Sequence, residues 1–198
     1  MKQDDFLATN NNKAQLIDLL SLKLKEKNHG VEQADDDADT LIVETAIEIA
    51  ASKTVVVIDT EVDLLALLVA KTPVSSRDIF FMKAAAGKVP SQYYPVRAIH
   101  TERPLLKSSI LFSHTISGCD TTSSFYRKGK MSCHKILVKN DLQSTVVDIF
   151  NSRDSQKEAI LEAACRYVSL LYGAKKPVTL DEFRFQGFIK SATKSSSY

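Results

Sequence analysis

The sequence predicts an α/β fold: a three-layer arrangement in which a parallel sheet is flanked by helices, followed by a helical C-terminal part. Three observations predict it. Val55, Val56, Val57 and Ile58 form an unbroken apolar, β-branched run, which reads as a short strand buried on both faces. Segments of helical period lie on either side of that run, at 38–51 and from Leu64 to Ala70. Between the strand and the second helix stand Asp59, Glu61 and Asp63, placing carboxylates at the C-terminal edge of the sheet, where ligands bind in open α/β folds. In an extended loop Glu61 and Asp63 point the same way. Two converging carboxylates need a compensating charge, and a hard divalent cation is one that supplies it. The plain alternative is an acidic surface turn with nothing bound.

Taken in order, Met1–Asn12 is polar and expected to be loose. A helix is predicted over Lys13–Lys27, with Leu16, Ile17, Leu20, Leu22 and Leu24 as its apolar stripe, ended by Gly30. Residues 31–34 are a short link. The cluster Asp35, Asp36, Asp37 and Asp39 opens the next helix, whose expected buried face is Ala38, Leu41, Ile42, Ala46, Ile49 and Ala50. Acids in a first turn are favoured by the helix dipole, but four aspartates within five residues repel one another, so capping alone does not account for them.

Beyond the Leu-rich helix closed by Pro73, Asp78–Met82 reads as a second strand and Tyr94–Ile99 as a third, with Pro95 a mark against it. Pro104 suits the first turn of a helix carrying Leu105, Leu106, Ile110, Leu111, Phe112 and Ile116 and ending at Gly118. Phe125–Lys130 is a basic turn, followed by a helix over Ser132–Val138. The remainder predicts helices over Ser144–Asn151 and Gln156–Tyr172, a short amphipathic piece over Leu180–Ile189, and a disordered Lys/Ser-rich tail over Ser191–Tyr198.

The 198 residues suffice for one domain with a proper core, and 44% hydrophobic with 25% charged residues is a globular composition. No apolar run reaches the roughly 20 residues that span a bilayer, and MKQDDF has neither a basic nor an apolar leader region. No membrane partner and no secretory signal are therefore expected. Cys119, Cys133 and Cys165 are an odd, scattered set, which fits a reducing compartment: an intracellular protein, nuclear or cytoplasmic. The charge is unevenly spread. Residues 31–63 hold ten acids and one lysine, while residues 97–139 hold eight Lys/Arg and two acids. An acidic centre with a basic flank suits metal-assisted work on a phosphate polymer; two solvated faces of opposite sign are the bland alternative. His114 on an apolar helix reads as a hydrogen-bonded core residue, Cys119 as a small packing residue, and adjacent Cys133 and His134 are poorly spaced for zinc.

Asp37-Ala38-Asp39 at a helix start, Glu61-Val62-Asp63 after a central strand, and Gly118-Cys119-Asp120 before Tyr126-Arg127-Lys128-Gly129-Lys130 stand in a definite order. In that order the chain resembles the flap-endonuclease branch of the PIN-like nucleases. The segment from His114 to Lys130 also looks like a signature of uncharacterised PIN-like proteins of invertebrate genomes. The resemblance covers about 13–138. It implies a Rossmann-like three-layer sheet and one or two Mg²⁺ or Mn²⁺ ions held by Asp37, Asp39, Glu61, Asp63 and Asp120, which would be both metal ligands and catalytic residues. It also implies a backbone-gripping turn of Arg127, Lys128, Gly129, Lys130 and Lys135 for DNA or RNA. Glu61 stands where the family usually has Asp, and Arg127 where it carries a second glycine. The family's first acid-bearing strands lie upstream of the matched region, so the chain is expected to be the C-terminal two-thirds of such a domain. The domain reading is a partial PIN-like domain over 1–140, with a helix-turn-helix at 105–138, and a helical extension over 141–190. The functional expectation is a divergent, truncated metal-dependent phosphodiesterase with impaired activity. The alternative is a catalytically degenerate domain that binds nucleic acid or protein.

Overall fold

The computed structural model describes residues 8–35, 37–175 and 179–195. The predicted loose residues 1–7, Asp36 of the acidic cluster and residues 196–198 of the tail lie outside it. The chain divides into two units, Met1–Leu41 and Ile42–Tyr198.

In the first unit, α1 (Asn10–Glu26) buries none of its residues. Leu19, Leu20, Leu22 and Leu24 are all exposed, and Lys23 Nζ pairs with Glu26 Oε2 at 2.8 Å. The helix starts three residues before the predicted Lys13, with Thr9 as its N-cap. α2 (Ala38–Ala50) begins at the end of this unit and carries Asp39 in its first turn.

The second unit is mixed α/β. Among the described residues its sheet has three strands: β1 (Val55–Asp59), β2 (Ile79–Lys83) and β3 (Gln92–Pro95), in the order β1-β2-β3. β1 and β2 are parallel and joined through α3 (Asp63–Lys71), as the sequence predicts. β3 runs antiparallel to β2, so the sheet is not purely parallel. β3 also stops at Pro95; the predicted strand residues from Val96 onward form a helix, α4 (Val96–Glu102), because proline ends the ladder and sets up a helical turn.

Among the described residues helices cover only one face of this sheet. Val57, Ile79 and Phe81 are buried under Val43, Ala46 and Ala50 of α2, Leu64, Leu68 and Val69 of α3, and Val96 of α4. On the other face Val56 is 49% and Ile58 61% exposed. The expectation of a strand buried on both faces is thus corrected: helices cover the odd-numbered side of β1 and leave the even-numbered side open. The face of α2 is corrected as well. Val43 and Ile47 join Ala46 and Ala50 in the core, while Ile42 and Ile49 are exposed. α3 ends as Pro73 demands, with Thr72 extended at ψ 124°.

Pro104 opens α5 (Pro104–Ile116). Its Ile110 packs on the sheet core, and its Phe112 belongs to a second core made with α6 (Lys130–Lys139), a π turn at Gln143–Val147, α7 (Asp148–Asn151) and α8 (Lys157–Leu171). Phe112 stands edge-on to Phe150 at 5.0 Å and to Tyr167 at 5.2 Å. The buried Tyr167 hydroxyl donates to the Cys133 carbonyl at 3.1 Å. Helices α6 and α8 therefore share one core across the boundary drawn at residue 140. α9 (Leu180–Ser195) extends five residues into the stretch read as disordered. Among the described residues no helix is long and apolar enough to cross a membrane.

Candidate functional site

Three elements of the second unit deliver side chains to one place. Asp63 opens α3, just past the C-terminal edge of β1; His114 lies in the last turn of α5; Lys130 is the first residue of α6. His114 Nε2 is 3.4 Å from Asp63 Oδ2. Lys130 Nζ is 3.4 Å from Asp63 Oδ1 and 3.2 Å from His114 Nδ1. An ammonium has donors only, so Nδ1 accepts its hydrogen bond and Nε2 carries the ring hydrogen, aimed at Asp63. His114 is hydrogen-bonded and largely buried, as read from sequence, and its partners are Asp63 and Lys130. An apolar helix face gave no sign of them.

Asp59 has a different task. Its Oδ1 accepts from the amides of Thr60 at 2.6 Å and Glu61 at 3.3 Å, an Asx turn that ends the strand. Glu61 itself is exposed in that turn.

Asp120 sits exposed at the tip of a second turn. Cys119 and Thr122 exchange backbone hydrogen bonds at 3.1 and 3.2 Å, and the Thr122 hydroxyl donates to the Thr115 carbonyl at 2.6 Å. The chain then folds back over Gly118, whose φ of +99° and contact with Ser124 leave no room for a side chain. The Cys119 Sγ accepts from the Thr121 hydroxyl at 3.4 Å and lies 3.2 Å from the Thr122 hydroxyl, whose own proton goes to Thr115. These bonds favour the thiolate and bring its pKa from 9.0 down to about 7.

The basic turn is braced by aromatic rings. Arg127 Cζ lies 5.1 Å from the centre of the Tyr126 ring, and Lys128 Nζ 4.9 Å from that of Tyr172. The Tyr172 hydroxyl donates to the Tyr126 carbonyl at 3.2 Å, so the end of α8 fixes the turn. Sequence reading missed Tyr172, which lies far along the chain. Arg127 adopts φ +55°, the left-handed conformation that glycine favours. Gly129 is the N-cap of α6, makes no side-chain cap bond, and has open space where a Cβ would be. Lys135 is exposed on α6.

Asp37 and Asp39 belong to the first unit, the former exposed and the latter half-buried. Among the described residues no three His, Cys, Asp or Glu side chains gather where they could hold a metal ion. The groups around Asp63 are an imidazole and an ammonium, and an ammonium at 3.4 Å opposes a divalent cation in the same place. The donor set as it stands does not fit the two-ion cluster that the resemblance implies. No family model, curated protein or solved structure matches the chain.

Proposed function

We propose that this chain is a nucleic-acid-binding domain that grips phosphate backbone, of DNA or RNA, through Tyr126–Lys130 and the start of α6. One observation carries the reading: Arg127, Lys128 and Lys130 surround an α6 N-terminus whose N-cap, Gly129, has no side chain in the way. The first amides of a helix have no partner within it, and they meet anions with the positive end of the dipole. Arg127 and Lys128 at that end add sequence-independent attraction for phosphates, and Lys130 adds its charge where a phosphate takes it from Asp63. Tyr126, 73% exposed beside Arg127, offers a face on which a base can stack.

Metal-dependent phosphodiester hydrolysis is the second reading. It is favoured by the position of Asp63 at the C-terminal edge of a parallel strand pair and by the resemblance to PIN-like nucleases. The pairing of Asp63 with Lys130 and His114 favours binding over hydrolysis.

Fluorescence anisotropy with labelled single-stranded and duplex oligonucleotides tests the first reading. Binding should weaken steeply with salt, and the Lys128→Ala/Lys130→Ala variant should lower the slope of log K against log salt by about one per lost contact. No binding at about 50 mM salt would end it. Cleavage in Mn²⁺ that disappears in Asp63→Ala/Asp120→Ala would put the second reading first.

A further inference from the structure

The basic turn holds a large ring that its own fold does not use. Phe125 and Tyr126 are neighbours in the chain with opposite surroundings. Phe125 packs against the second core, edge-on to Tyr172 with ring centres 6.4 Å apart. Tyr126 is 73% exposed. Its main chain is nevertheless held, because the Tyr172 hydroxyl donates to the Tyr126 carbonyl at 3.2 Å. The end of α8 therefore fixes the backbone from which the Tyr126 ring projects and leaves the ring itself in water.

Among the described residues no other aromatic ring lies against Tyr126. The Arg127 guanidinium covers one face, its Cζ 5.1 Å from the ring centre. At 73% exposure the opposite face meets solvent. Tyr172 serves differently: Phe125 and Lys128 occupy its ring, the Lys128 Nζ 4.9 Å from its centre, so it supports the turn. A ring on a fixed backbone, backed by a cation and bare on its other side, is a surface for a second flat π system. Arg127 and Lys128 beside it favour a π system that carries negative charge next to its rings, which is the chemistry of a nucleotide.

We propose that the ligand of this turn is single-stranded nucleic acid, with one base stacked on the open face of Tyr126 and the adjoining phosphates on Arg127, Lys128 and the start of α6. The inference rests on the phosphate-gripping function proposed above and adds the state of the strand. Access decides that state. In a duplex each base is covered by its neighbours and held by its pair, so bringing one onto Tyr126 means unstacking and unpairing it first. In a single strand the face of a base is free to turn toward the ring. Stacking accepts any base, as the cations accept any phosphate, so the two contacts together read the strand state and no sequence. Tyr126 is then the residue that separates single strands from duplex, while Arg127 and Lys128 supply attraction common to both.

Fluorescence anisotropy on the full chain with three labelled probes of equal length is the test. The probes are a deoxyoligonucleotide of about 12 nucleotides, within the span of single-strand sites, the same strand in a duplex, and an abasic strand that keeps the phosphates and lacks the bases. At one salt concentration the natural single strand should bind about fivefold or more tighter than the abasic strand, and tighter than the duplex. Tyr126→Ala should remove the advantage over the abasic strand and leave abasic and duplex binding unchanged. Tyr126→Phe, which keeps the ring, should behave as the unaltered chain. Equal binding of natural and abasic strands overturns the inference and leaves phosphate gripping standing. A duplex bound more tightly than its single strand overturns it too. So does a Tyr126→Ala variant weakened equally toward all three probes, since the ring would then shape the turn and not stack. Absence of binding to every probe ends the phosphate-gripping function and this inference with it.

Discussion

A Cβ added to Gly118 would lie 2.7 Å from the Cβ of Ser124 and 2.9 Å from its backbone nitrogen. That contact, on a backbone with φ +99°, makes the turn behind Asp120 dependent on glycine. Gly118→Ala should destabilise the chain by about 2–5 kcal/mol, combining backbone strain with overpacking. Gly129 has open space around its missing side chain, so Gly129→Ala should leave the melting temperature within experimental error and weaken phosphate binding. Thermal melts of the two variants check the contrast. Equal losses would show that the Gly118 turn is not as tight as described.

Arg127 holds φ +55°, and a left-handed residue other than glycine costs about 1–2 kcal/mol. Arg127→Gly removes that cost and gives back part of it through the greater freedom of the unfolded chain. The variant should melt at the same temperature or higher while binding nucleic acid more weakly, with a salt slope smaller by about one. A lower melting temperature would mean that the stacking of Arg127 on Tyr126 outweighs the strain.

The Cys119 thiol, with its pKa near 7 instead of 9.0, should react with iodoacetamide at a rate that rises through neutral pH. The hydrogen bond from Thr121 is the largest cause of the shift, so Thr121→Val should move the midpoint of the rate profile upward. Mass spectrometry of the Cys119 peptide against pH gives the answer. A midpoint unchanged in Thr121→Val would remove the hydroxyl from the explanation.

Burial, and then the hydrogen bond to Cys133, push the Tyr167 phenol well above its ordinary 10.0. In the unfolded chain the phenol loses its proton near the ordinary value, while in the fold it keeps it. The unfolded state then holds fewer protons, so stability falls as pH rises above 10.0. Tyr167→Phe should abolish this part of the alkaline loss. At neutral pH it should cost about 1 kcal/mol through the missing bond to the Cys133 carbonyl, a fall of about 2–4 °C for a chain this size. Denaturation at pH 7 and pH 11 (about one unit above the pKa of a free phenol) compares the two chains.

Much of the order of elements is legible in the residues. The Val-rich run, the Leu-rich helix after it, the stop at Pro73 and the start at Pro104 each carry a local cause, and each element lies where that cause puts it. The acidic loop after β1 is equally plain. What covers a strand is not written in the strand: Val56 and Ile58 look the same in sequence whether a helix lies over them or water does. His114 shows the same limit at the site. Its pairing with Asp63 and Lys130 joins three helices, and spacing along one helix does not reveal a neighbour on another. Tyr172 braces the basic turn from the end of α8, again by a contact between distant parts of the chain. Asp59 was legible as an acid but not as the cap that ends its own strand, because its hydrogen bonds to Thr60 and Glu61 depend on how tightly the loop turns.

Helix α5 has a consequence for how the second unit comes apart. Ile110 and Phe112, two positions apart, belong to the sheet core and the helical core respectively. One rigid element is thus a wall of both, and neither core can lose its packing while α5 stays in place for the other. The unit should melt as a single cooperative body, with calorimetric and van't Hoff enthalpies in agreement, and the amides of α5 should be among the last to exchange. A cavity cut at Phe112 would then loosen β1, although the two belong to different cores.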